Sequence, residues 1–551
     1  MIAPMETARS EHPPRTPVPL LLGAIAWSTL AVLSQGSEPL KAAGLAAVAA
    51  LLLLSCGLPT AAALRPLAAL AIAGCACTCL ALEPWAALTG SQARAMGFVS
   101  LGAGLVLATH AARLTDAQRT RLHAGCSLLA GLVAGYVLAQ RFGLDPWSWH
   151  GADPLRPAAT LGNASVLAGW LLLTLPLCAA LAWARCSWVW GSLAGLQLAA
   201  LLASGTRSAW VGLVAMVLWL LWRRCGWRRV LAPLLALALV GSLLLAWRPA
   251  SVADRARLWP AAAAAWLQPG ALPDLFDNGD ALRPARRWLG YGPDQQRAPL
   301  DAALAAATQV RSGATGWDAD RAHQWLLDGL LQWGAFGLAA WCWLLVAVVA
   351  TLRRALAEPG QVIEARALAV ALGAWMLHQQ FAFALNADQA LALLLAGCAL
   401  GLRAQPVART GLPAGMIALP FLACSVAMFV NGRWPWTEVL APALAAETSF
   451  ARGQADYAAA LAAPDEIAHL RQAASAFERA AGLRRYDRDA ALAAASSWVE
   501  VAVLAADPIA LAKARRWTAA VAAITPADAR LERLRARIEA AQARIGSGSG
   551  G

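Results

Sequence analysis

Three short polar segments beside long apolar runs carry the side chains best suited to chemistry. Residues 204–210 read SGTRSAW between two apolar runs, and residues 254–259 read DRARLW. Residues 318–325 read DADRAHQW and lead directly into a further apolar run. The planar guanidinium group can make two parallel hydrogen bonds to a phosphate. Phosphate chemistry is therefore the first expectation for the side chains in these segments, which are Arg207, Arg255, Arg257, Arg321 and His323.

Each arginine taken alone has a simpler explanation. A long cationic side chain at the end of a membrane span can extend to the lipid headgroups and pair with a nearby aspartate. Ionisable groups at membrane depth are, however, costly and usually functional. We therefore predict that the three segments bring their arginines to one cavity on the outer face of a membrane, where they would suit a lipid-linked diphosphate.

His323 is the candidate general base. An imidazole near neutral pH can accept a proton from an attacking hydroxyl group. His323 opens an apolar run on the same predicted outer side as the arginines. The other six histidines lie in polar segments, at predicted membrane interfaces or, for His378, inside an apolar run, where a buried polar contact is the simplest role.

Membrane-spanning helices must position these side chains. Of 551 residues, 59% are hydrophobic and only 14% are charged, whereas soluble domains carry about a quarter charged residues. This composition excludes a soluble cytoplasmic protein, a disordered protein and a fibrous protein. A net charge of +13 would suggest nucleic acid in a soluble protein. Here the arginines follow the membrane topology, so we predict no nucleic-acid partner and contact with membrane lipid.

Thirteen apolar runs approach the roughly 20 residues that a bilayer-spanning helix needs. With the N-terminus in the cytoplasm, the inner segments hold 16 arginines and the short outer segments hold 5 basic residues, in line with the positive-inside rule. We therefore predict an all-α polytopic membrane domain over 1–430, with the loop 248–324 and the C-terminus outside. The runs lie near 17–35, 42–56, 61–82, 96–111, 123–140, 160–182, 187–204, 208–222, 230–247, 325–351, 367–382, 389–402 and 412–430.

The tail predicts a separate soluble helical domain over 431–545. Residues 431–551 contain 28 charged residues among 121, a much higher share than in the rest of the chain. The tail has apolar positions at three- and four-residue spacing, which places them on one helix face: Leu470, Ala473, Ala474, Phe477 and Ala481. The spacing is similar to a tetratricopeptide repeat, and a plain helical bundle fits equally well. Residues 546–551 read GSGSGG and resemble an artificial linker.

Four stretches, in this order, resemble the superfamily of O-antigen ligases and O-antigen polymerases, which includes the bacterial O-linked oligosaccharyltransferases. The first holds a Gly-Asn entrance to a span and the second a Ser-Arg turn, both similar to the family's. The resemblance covers about residues 156–402. The stretches are 156–169 (RPAATLGNASVLAG), 204–210 (SGTRSAW), 255–259 (RARLW) with 290–293 (GYGP), and 323–328 (HQWLLD) with Gly334 and Gly337.

The resemblance implies a membrane glycosyltransferase with a GT-C-type bundle of 12–13 transmembrane helices. Such an enzyme takes a glycan from undecaprenyl diphosphate on the periplasmic face of the bacterial inner membrane. An acceptor hydroxyl attacks the anomeric carbon, and the lipid diphosphate leaves. Members of the family work without a metal, so the resemblance implies no metal and no other cofactor.

The resemblance also implies roles for the candidate residues. His323 would take the proton of the acceptor, and Arg207 with Arg255 or Arg257 would bind the diphosphate. Arg321 is a further diphosphate-binding candidate because it lies close to His323 in sequence. Supporting roles fall to Asn163, Asp328 and Arg156.

Two positions depart from the family pattern. Gln324 follows the histidine where the family often has asparagine, and Gln332 stands where an acidic residue often precedes Gly334. Asp328 matches an acidic family position. On a regular helix Asp328 would lie about 140° from His323, so the sequence does not assign it as the partner of the imidazole.

Three activities of the superfamily differ only in the acceptor. A ligase uses lipid A–core, a polymerase uses a second lipid-linked glycan, and an oligosaccharyltransferase uses a protein serine. The stretches named above handle the donor, so they do not separate the three activities. We favour the ligase, with the polymerase next.

Two other classes of protein fit part of the pattern. A transporter or flippase for an anionic lipid would also have many spans and internal arginines. Transporters often contain repeated halves with interrupted spans, and the sequence has no convincing internal repeat. A membrane-anchored scaffold would leave the outer arginines and His323 without a task. An enzyme is therefore the preferred class.

Overall fold

The structure is a computed structural model, and it is helical almost throughout. The residues it describes are 17–31, 37–60, 62–91, 94–147, 155–225, 249–270, 272, 279–308, 320–402, 408–409, 414–430, 442–462, 467–484, 486–524 and 528–548. Among them, the strands β1 (Pro59–Thr60) and β2 (Ala408–Arg409) form one short antiparallel pair. The described part of the chain thus confirms an all-α fold class.

Outside the segment 248–324, the described residues of the apolar part of the chain form thirteen α-helices. Twelve of the thirteen predicted spans coincide with one of these helices, and the predicted span 230–247 lies outside the described residues. The helices are α1 (Val18–Leu30), α2 (Ser37–Cys56), α3 (Arg65–Cys79), α4 (Pro84–Thr89), α5 (Phe98–Ala111), α6 (Asp116–Arg141), α7 (Ala164–Arg185), α8 (Trp188–Ala203), α9 (Arg207–Cys225), α13 (Trp325–Ala355), α14 (Val362–Gln379), α15 (Asn386–Gly401) and α16 (Ala414–Val430).

Four described helices are long and apolar enough to cross a membrane by themselves. They are Glu38–Cys56, Asp116–Arg141, Ala164–Arg185 and Trp325–Ala355. Seven further apolar helices of 10–17 residues lie beside them in the described chain. Large apolar side chains are exposed on these helices, including Leu132, Trp188 and Val346. Exposed apolar surface of this kind is expected where helices face lipid, so the fold is compatible with a membrane protein.

Small residues let the central helices approach closely. A Cβ atom on Gly397 or Gly401 of α15 would collide with the backbone carbonyl of Ala108 or Ala112 at the end of α5. Close backbone approach at small residues is a common packing mode between membrane helices. Most residues of α7 and α15 are buried, and these two helices pack against each other and against α14. They form the centre of the bundle.

The segment between α9 and α13, residues 248–324, folds over one end of the bundle, and we call it the outer segment. It contains α10 (Pro249–Leu267), α11 (Arg286–Leu289) and α12 (Arg297–Thr308). These helices share a small apolar core that includes Leu258, Tyr291 and Leu300. Leu331 of α13 belongs to the same core, so this outer segment and the start of α13 form one packed unit.

The tail forms a helical unit with its own apolar core. Consecutive tail helices pack against each other. The predicted apolar face of one of them is confirmed, because its buried residues are Leu470, Ala473, Ala474, Phe477, Ala480 and Ala481. The tail helices are α17 (Pro442–Ala462), α18 (Ile467–Leu483), α19 (Arg488–Ala505), α20 (Pro508–Ile524) and α21 (Ala529–Gly548).

Ion pairs join the tail to the outer segment. Arg297 of α12 donates to Asp489 of α19 at 2.8 Å, and Arg488 lies 3.4 Å from Asp301 of α12. Tyr486 packs against the apolar core of the outer segment. The tail therefore rests on the same end of the bundle as the outer segment.

Candidate functional site

His323 lies immediately before α13 in an unusual backbone conformation. Its φ of +53° falls in the left-handed region, which non-glycine residues rarely adopt. The ring centroid lies 5.2 Å from that of Phe383, in the connection between α14 and α15. The imidazole is thus held at the end of the bundle that the outer segment covers.

The structure places two of the four predicted arginines, Arg255 and Arg321, near His323 and a third, Arg207, near Arg255. Burial lowers the pKa of Arg255 most, and the positive charge of Arg207 lowers it further. Arg255 and Arg321 in turn act on the charge of His323. Segments 204–210, 254–259 and 318–325 therefore contribute charged groups that act on one another in the described structure.

Arg257 is the predicted arginine that points elsewhere. It is exposed, whereas Arg255 is half-buried. Two residues apart on a helix means a rotation of about 200°, so the two side chains occupy opposite faces of α10. No described contact joins Arg257 to His323, and Arg255 is the arginine of this pair that faces the cluster.

Arg94 joins the cluster from the segment before α5, and the sequence did not single it out. Its guanidinium group lies 4.2 Å above the ring of Phe383, and that of Arg321 lies 5.9 Å from the same ring. Arg94 also pairs with Asp320 and acts on the charge of His323. Phe383 is thus an apolar platform shared by two guanidinium groups and the imidazole.

A buried ion pair fixes Arg321. Its guanidinium group donates to Asp294 Oδ1 at 2.7 Å, and both side chains are 5% exposed. The other carboxylate oxygen accepts from the backbone N–H and the hydroxyl of Ser91 at 2.7 and 2.8 Å. Asp294 therefore links Arg321 to Ser91, which precedes Arg94 by three residues.

The GYGP stretch forms the turn that delivers Asp294. The backbone N–H groups of Tyr291 and Gly292 donate to the carbonyl oxygens of Leu331 and Gln332 at 2.7 and 3.0 Å. These carbonyls are accessible because α13 breaks at Gly334, whose φ is +61°. The turn is thus hydrogen-bonded into the break in α13. Gln332 therefore contributes its backbone to the site at the position where the family often has an acidic residue.

Asp328 is buried and binds the backbone on both sides of His323. Its carboxylate accepts from the N–H of Ala322 at 2.8 Å and from the N–H of Gln324 at 3.2 Å. The sequence did not assign Asp328 as the partner of the imidazole, and these two hydrogen bonds of its carboxylate go to the backbone. Gln324 caps α13 by accepting from the N–H of Leu327 at 2.6 Å and donates to Gln380 at 3.0 Å.

Arg156 and Asn163 lie on the approach to α7. Arg156 Cγ lies 3.7 Å from where a Cβ on Gly205 would be, so this side chain borders the turn that precedes Arg207. Its buried Nε has no hydrogen-bond partner among the described residues. Asn163 caps α7 by accepting from the N–H of Ser165 at 2.8 Å. Arg156 thus lies beside the turn that carries Arg207, and Asn163 stabilises the start of α7.

His378 holds the start of α9 against α7. Its Nε2 lies 3.0 Å from the carbonyl oxygen of Ser165, which can only accept, so Nε2 carries the proton. Nδ1 then accepts from the hydroxyl of Ser208 at 2.9 Å. The predicted buried polar contact of His378 is confirmed, and it fixes the residue that follows Arg207.

An apolar cavity of about 460 Å³ leads away from the cluster. It begins beside Arg321 and Asp328 and runs along α13 as far as Leu352 and Arg353. Its walls come from α13, α14 and α15 and consist mainly of leucine, valine, alanine and tryptophan side chains. The cavity is therefore amphipathic, with Arg321 and Asp328 at one end of a long apolar space and Arg353 at the other.

The electrostatics make His323 a neutral imidazole at physiological pH. Burial lowers its pKa to about 4, and the cations Arg94, Arg321 and Arg255 act in the same direction against the carboxylate of Asp320. Burial alone would raise the pKa of Asp320, but Arg94 and Arg321 hold it below its ordinary value. The site thus contains a free base beside several fixed positive charges.

Comparison with known proteins gives no family for this chain. No protein-family model matches it, and no curated protein matches it. The case for a function therefore depends on the geometry of the site.

Proposed function

We propose that the protein is a membrane glycosyltransferase that moves a glycan from undecaprenyl diphosphate to an acceptor hydroxyl. One observation carries the proposal: the guanidinium groups of Arg94, Arg255 and Arg321 lie near a neutral imidazole, Arg207 lies near Arg255, and Arg321 lines one end of a long apolar cavity. A lipid diphosphate has the matching chemistry, with a doubly phosphorylated head and an apolar chain. The family resemblance of the same segments supports the choice of glycan transfer.

The donor is held by its two chemically different parts. Arg207 and Arg255 are the cations proposed to bind the diphosphate, and Arg156 borders the same turn. The prenyl chain would follow the apolar walls along α13. Because diphosphate carries more negative charge as it departs, cations that bind it more tightly in the transition state accelerate the reaction.

The transfer step balances within the site. The acceptor oxygen forms a bond to the anomeric carbon while the bond from that carbon to the diphosphate oxygen breaks. The proton of the acceptor hydroxyl moves to His323 Nδ1 or Nε2, and undecaprenyl diphosphate leaves with the electron pair of the broken bond. Burial, assisted by Arg94 and Arg321, lowers the pKa of His323 and keeps the imidazole neutral before the step, as a general base requires.

The proposal includes the finer topology expected from the sequence. The apolar helices would form a GT-C-type bundle of 12–13 spans in the bacterial inner membrane, with the N-terminus in the cytoplasm. The outer segment 248–324 and the tail domain 431–545 would lie in the periplasm. The tail rests on the outer segment through Arg297 and Asp489, which supports placing both on one side.

The acceptor we favour is lipid A–core, which makes the protein an O-antigen ligase. A polymerase or a protein O-oligosaccharyltransferase would use the same donor chemistry. The test incubates purified protein in lipid nanodiscs with an undecaprenyl-diphosphate-linked glycan and, in parallel, lipid A–core, a second lipid-linked glycan or a serine-containing protein. Transfer to lipid A–core alone is expected. Transfer to another acceptor would change the assignment, and transfer to none would contradict the proposal.

A substitution separates an enzyme from a transporter of the same lipid. His323→Ala should abolish turnover and leave binding of undecaprenyl diphosphate within about twofold, because the base contributes to the chemical step alone. A transporter would instead keep moving lipid-linked glycan across proteoliposomes after this change. The control is Asp116→Asn, at an exposed position at the start of α6, which should leave turnover and binding unchanged.

A further inference from the structure

The backbone at His323 needs an external restraint. A left-handed φ of +53° at a non-glycine residue persists only where the surroundings determine it. The imidazole side chain leaves the chain in the direction that this φ sets, towards the ring of Phe383 at 5.2 Å. Relaxation of the backbone to an ordinary conformation would therefore turn the ring away from the cluster.

Asp328 supplies that restraint from the first turn of α13. One carboxylate oxygen accepts from the N–H that precedes His323 and the other from the N–H that follows it, at 2.8 and 3.2 Å. The side chain is only 6% exposed, so water does not compete for these bonds. The N–H of Asp328 donates to the Gln324 carbonyl at 2.9 Å, which closes the ring of hydrogen bonds.

A second contact holds the same residue, Ala322, through its carbonyl group. The indole N–H of Trp259, on α10, donates to the carbonyl oxygen of Ala322 at 3.1 Å. The N–H of Ala322 is thus bound by Asp328 and its carbonyl by Trp259. Ala322 itself is fully buried, so the residue before His323 is held at both of its backbone polar groups.

We propose that Asp328 is a positioning residue that aims the imidazole of His323 by holding the backbone on both sides of it. This differs from a carboxylate that orients a histidine by accepting from its ring, because Asp328 acts without touching the imidazole. That the imidazole is oriented towards an acceptor hydroxyl rests on the proposed function. That Asp328 controls the conformation of His323 does not depend on the proposed function.

The arrangement needs a carboxylate and not merely a polar side chain. Two N–H donors face the two oxygens of Asp328. An asparagine has one acceptor oxygen and an NH₂ group that only donates, so one of the two backbone N–H groups would face another donor. Asp328→Asn therefore removes one restraint at almost constant volume, and Asp328→Glu keeps the charge but displaces both oxygens.

The test combines turnover with the chemical reactivity of His323. Wild type, Asp328→Asn, Asp328→Glu, His323→Ala and the control Asp116→Asn are purified as folded protein. Turnover is measured against the lipid-linked donor. The rate of His323 carbethoxylation by diethyl pyrocarbonate is followed by mass spectrometry. In Asp328→Asn we expect kcat to fall about 10- to 100-fold, the cost of a misplaced reacting group, with KM for the donor within about twofold.

The reactivity readout decides the proposal whether or not the protein proves to be a glycosyltransferase. Release of the imidazole from Phe383 should change the carbethoxylation rate of Asp328→Asn at least threefold, and leave Asp116→Asn at the wild-type rate. An unchanged rate in Asp328→Asn overturns the positioning role, whatever happens to kcat. Full turnover in His323→Ala would instead overturn the proposed function and leave the reactivity result standing.

A measurement on the wild-type protein covers the case in which the Asp328 variants do not fold. Hydrogen exchange at single-residue resolution should show the amides of Ala322 and Gln324 exchanging at least tenfold more slowly than the amide of His323 between them. Exchange of the Gln324 amide as fast as that of His323 would show that Asp328 does not hold this segment.

Discussion

At the scale of single residues, the pKa of His323 sets the pH range in which the site can work. Burial and nearby cations lower this pKa to about 4, so protonation begins only as the pH falls towards that value. We expect kcat/KM to be constant down to about pH 5 and to fall as the pH passes through 4. A pH–rate profile in lipid nanodiscs measures this limb, and a limb near 6.5, the ordinary value for histidine, would contradict the site geometry.

Arg255 and Arg257 offer a matched pair for testing which cation binds the donor. Both are arginines on α10, but Arg255 is half-buried in the cluster and Arg257 is exposed on the opposite face. Charge-assisted hydrogen bonds contribute about 1.5–3 kcal/mol. Arg255→Ala should therefore weaken binding of undecaprenyl diphosphate about 10- to 100-fold, and Arg257→Ala by less than about twofold. Equal losses in a binding assay would rule out the assignment.

The residues that sequence reasoning missed share one property. Arg94 and Phe383 lie in short connections before α5 and α15, and each is surrounded by residues of ordinary composition. Their role arises from contacts with residues more than 200 positions away or on other helices, such as the pair of Arg94 with Asp320. Arg94 is one of the five basic residues counted in the short outer segments. This predicted location was the only sequence feature that linked it to the site.

At the scale of elements, the break in α13 at Gly334 is the feature on which the site is built. A Cβ on Gly334 would collide with the carbonyl of Trp288 and the N–H of Gly290, and its φ of +61° disfavours other residues. Gly334→Ala should cost about 1–3 kcal/mol from the backbone conformation alone. The displaced turn would also loosen Asp294 from Arg321.

Thermal unfolding and turnover measure this effect. We expect Gly334→Ala to lower both the unfolding temperature and kcat. Gly195→Ala on α8, where nothing lies within 4 Å of the added Cβ, should change neither. Wild-type behaviour of Gly334→Ala would show that the turn and the helix do not pack as described.

Elements were easier to predict than their contacts. Apolar runs predicted twelve helices because hydrophobicity over a window reports membrane burial directly. The break inside the tenth run was not predicted, since Gly334 within an apolar sequence does not reveal its φ. The GYGP stretch attracted notice only through resemblance, and its docking on α13 depends on hydrogen bonds across about 40 residues.

At the scale of the whole molecule, ionic contacts couple the tail to the outer segment. Arg297 and Asp489 are both partly exposed, so their pair should contribute no more than about 1 kcal/mol. Arg297→Glu places two like charges together and should increase deuterium uptake in α12 and at the start of α19. Arg297→Lys keeps the charge and serves as the control. Equal uptake in the two variants would show that this contact does not hold the tail.

Sequence composition separated the tail from the bundle but gave no indication that the two are in contact. The residues that join them, such as Arg488 and Asp301, are charged positions in polar segments, where solvent exposure is the ordinary expectation. Such contacts depend on where whole units meet. By contrast, the buried face of α18 follows from the periodicity of one helix and was predicted correctly.

The break at Gly334 also bears on how high the start of α13 would lie relative to a bilayer. The stretch 335–355 measures about 32 Å at about 1.5 Å per residue, close to the roughly 30 Å of hydrocarbon in a bilayer. In a bilayer crossed by that stretch, the nine residues 325–333 would lie beyond the hydrocarbon, at the level of the lipid phosphates. The thickness of the bilayer would thus determine the height of the His323 imidazole, at the level of the phosphates of lipids that diffuse to the site.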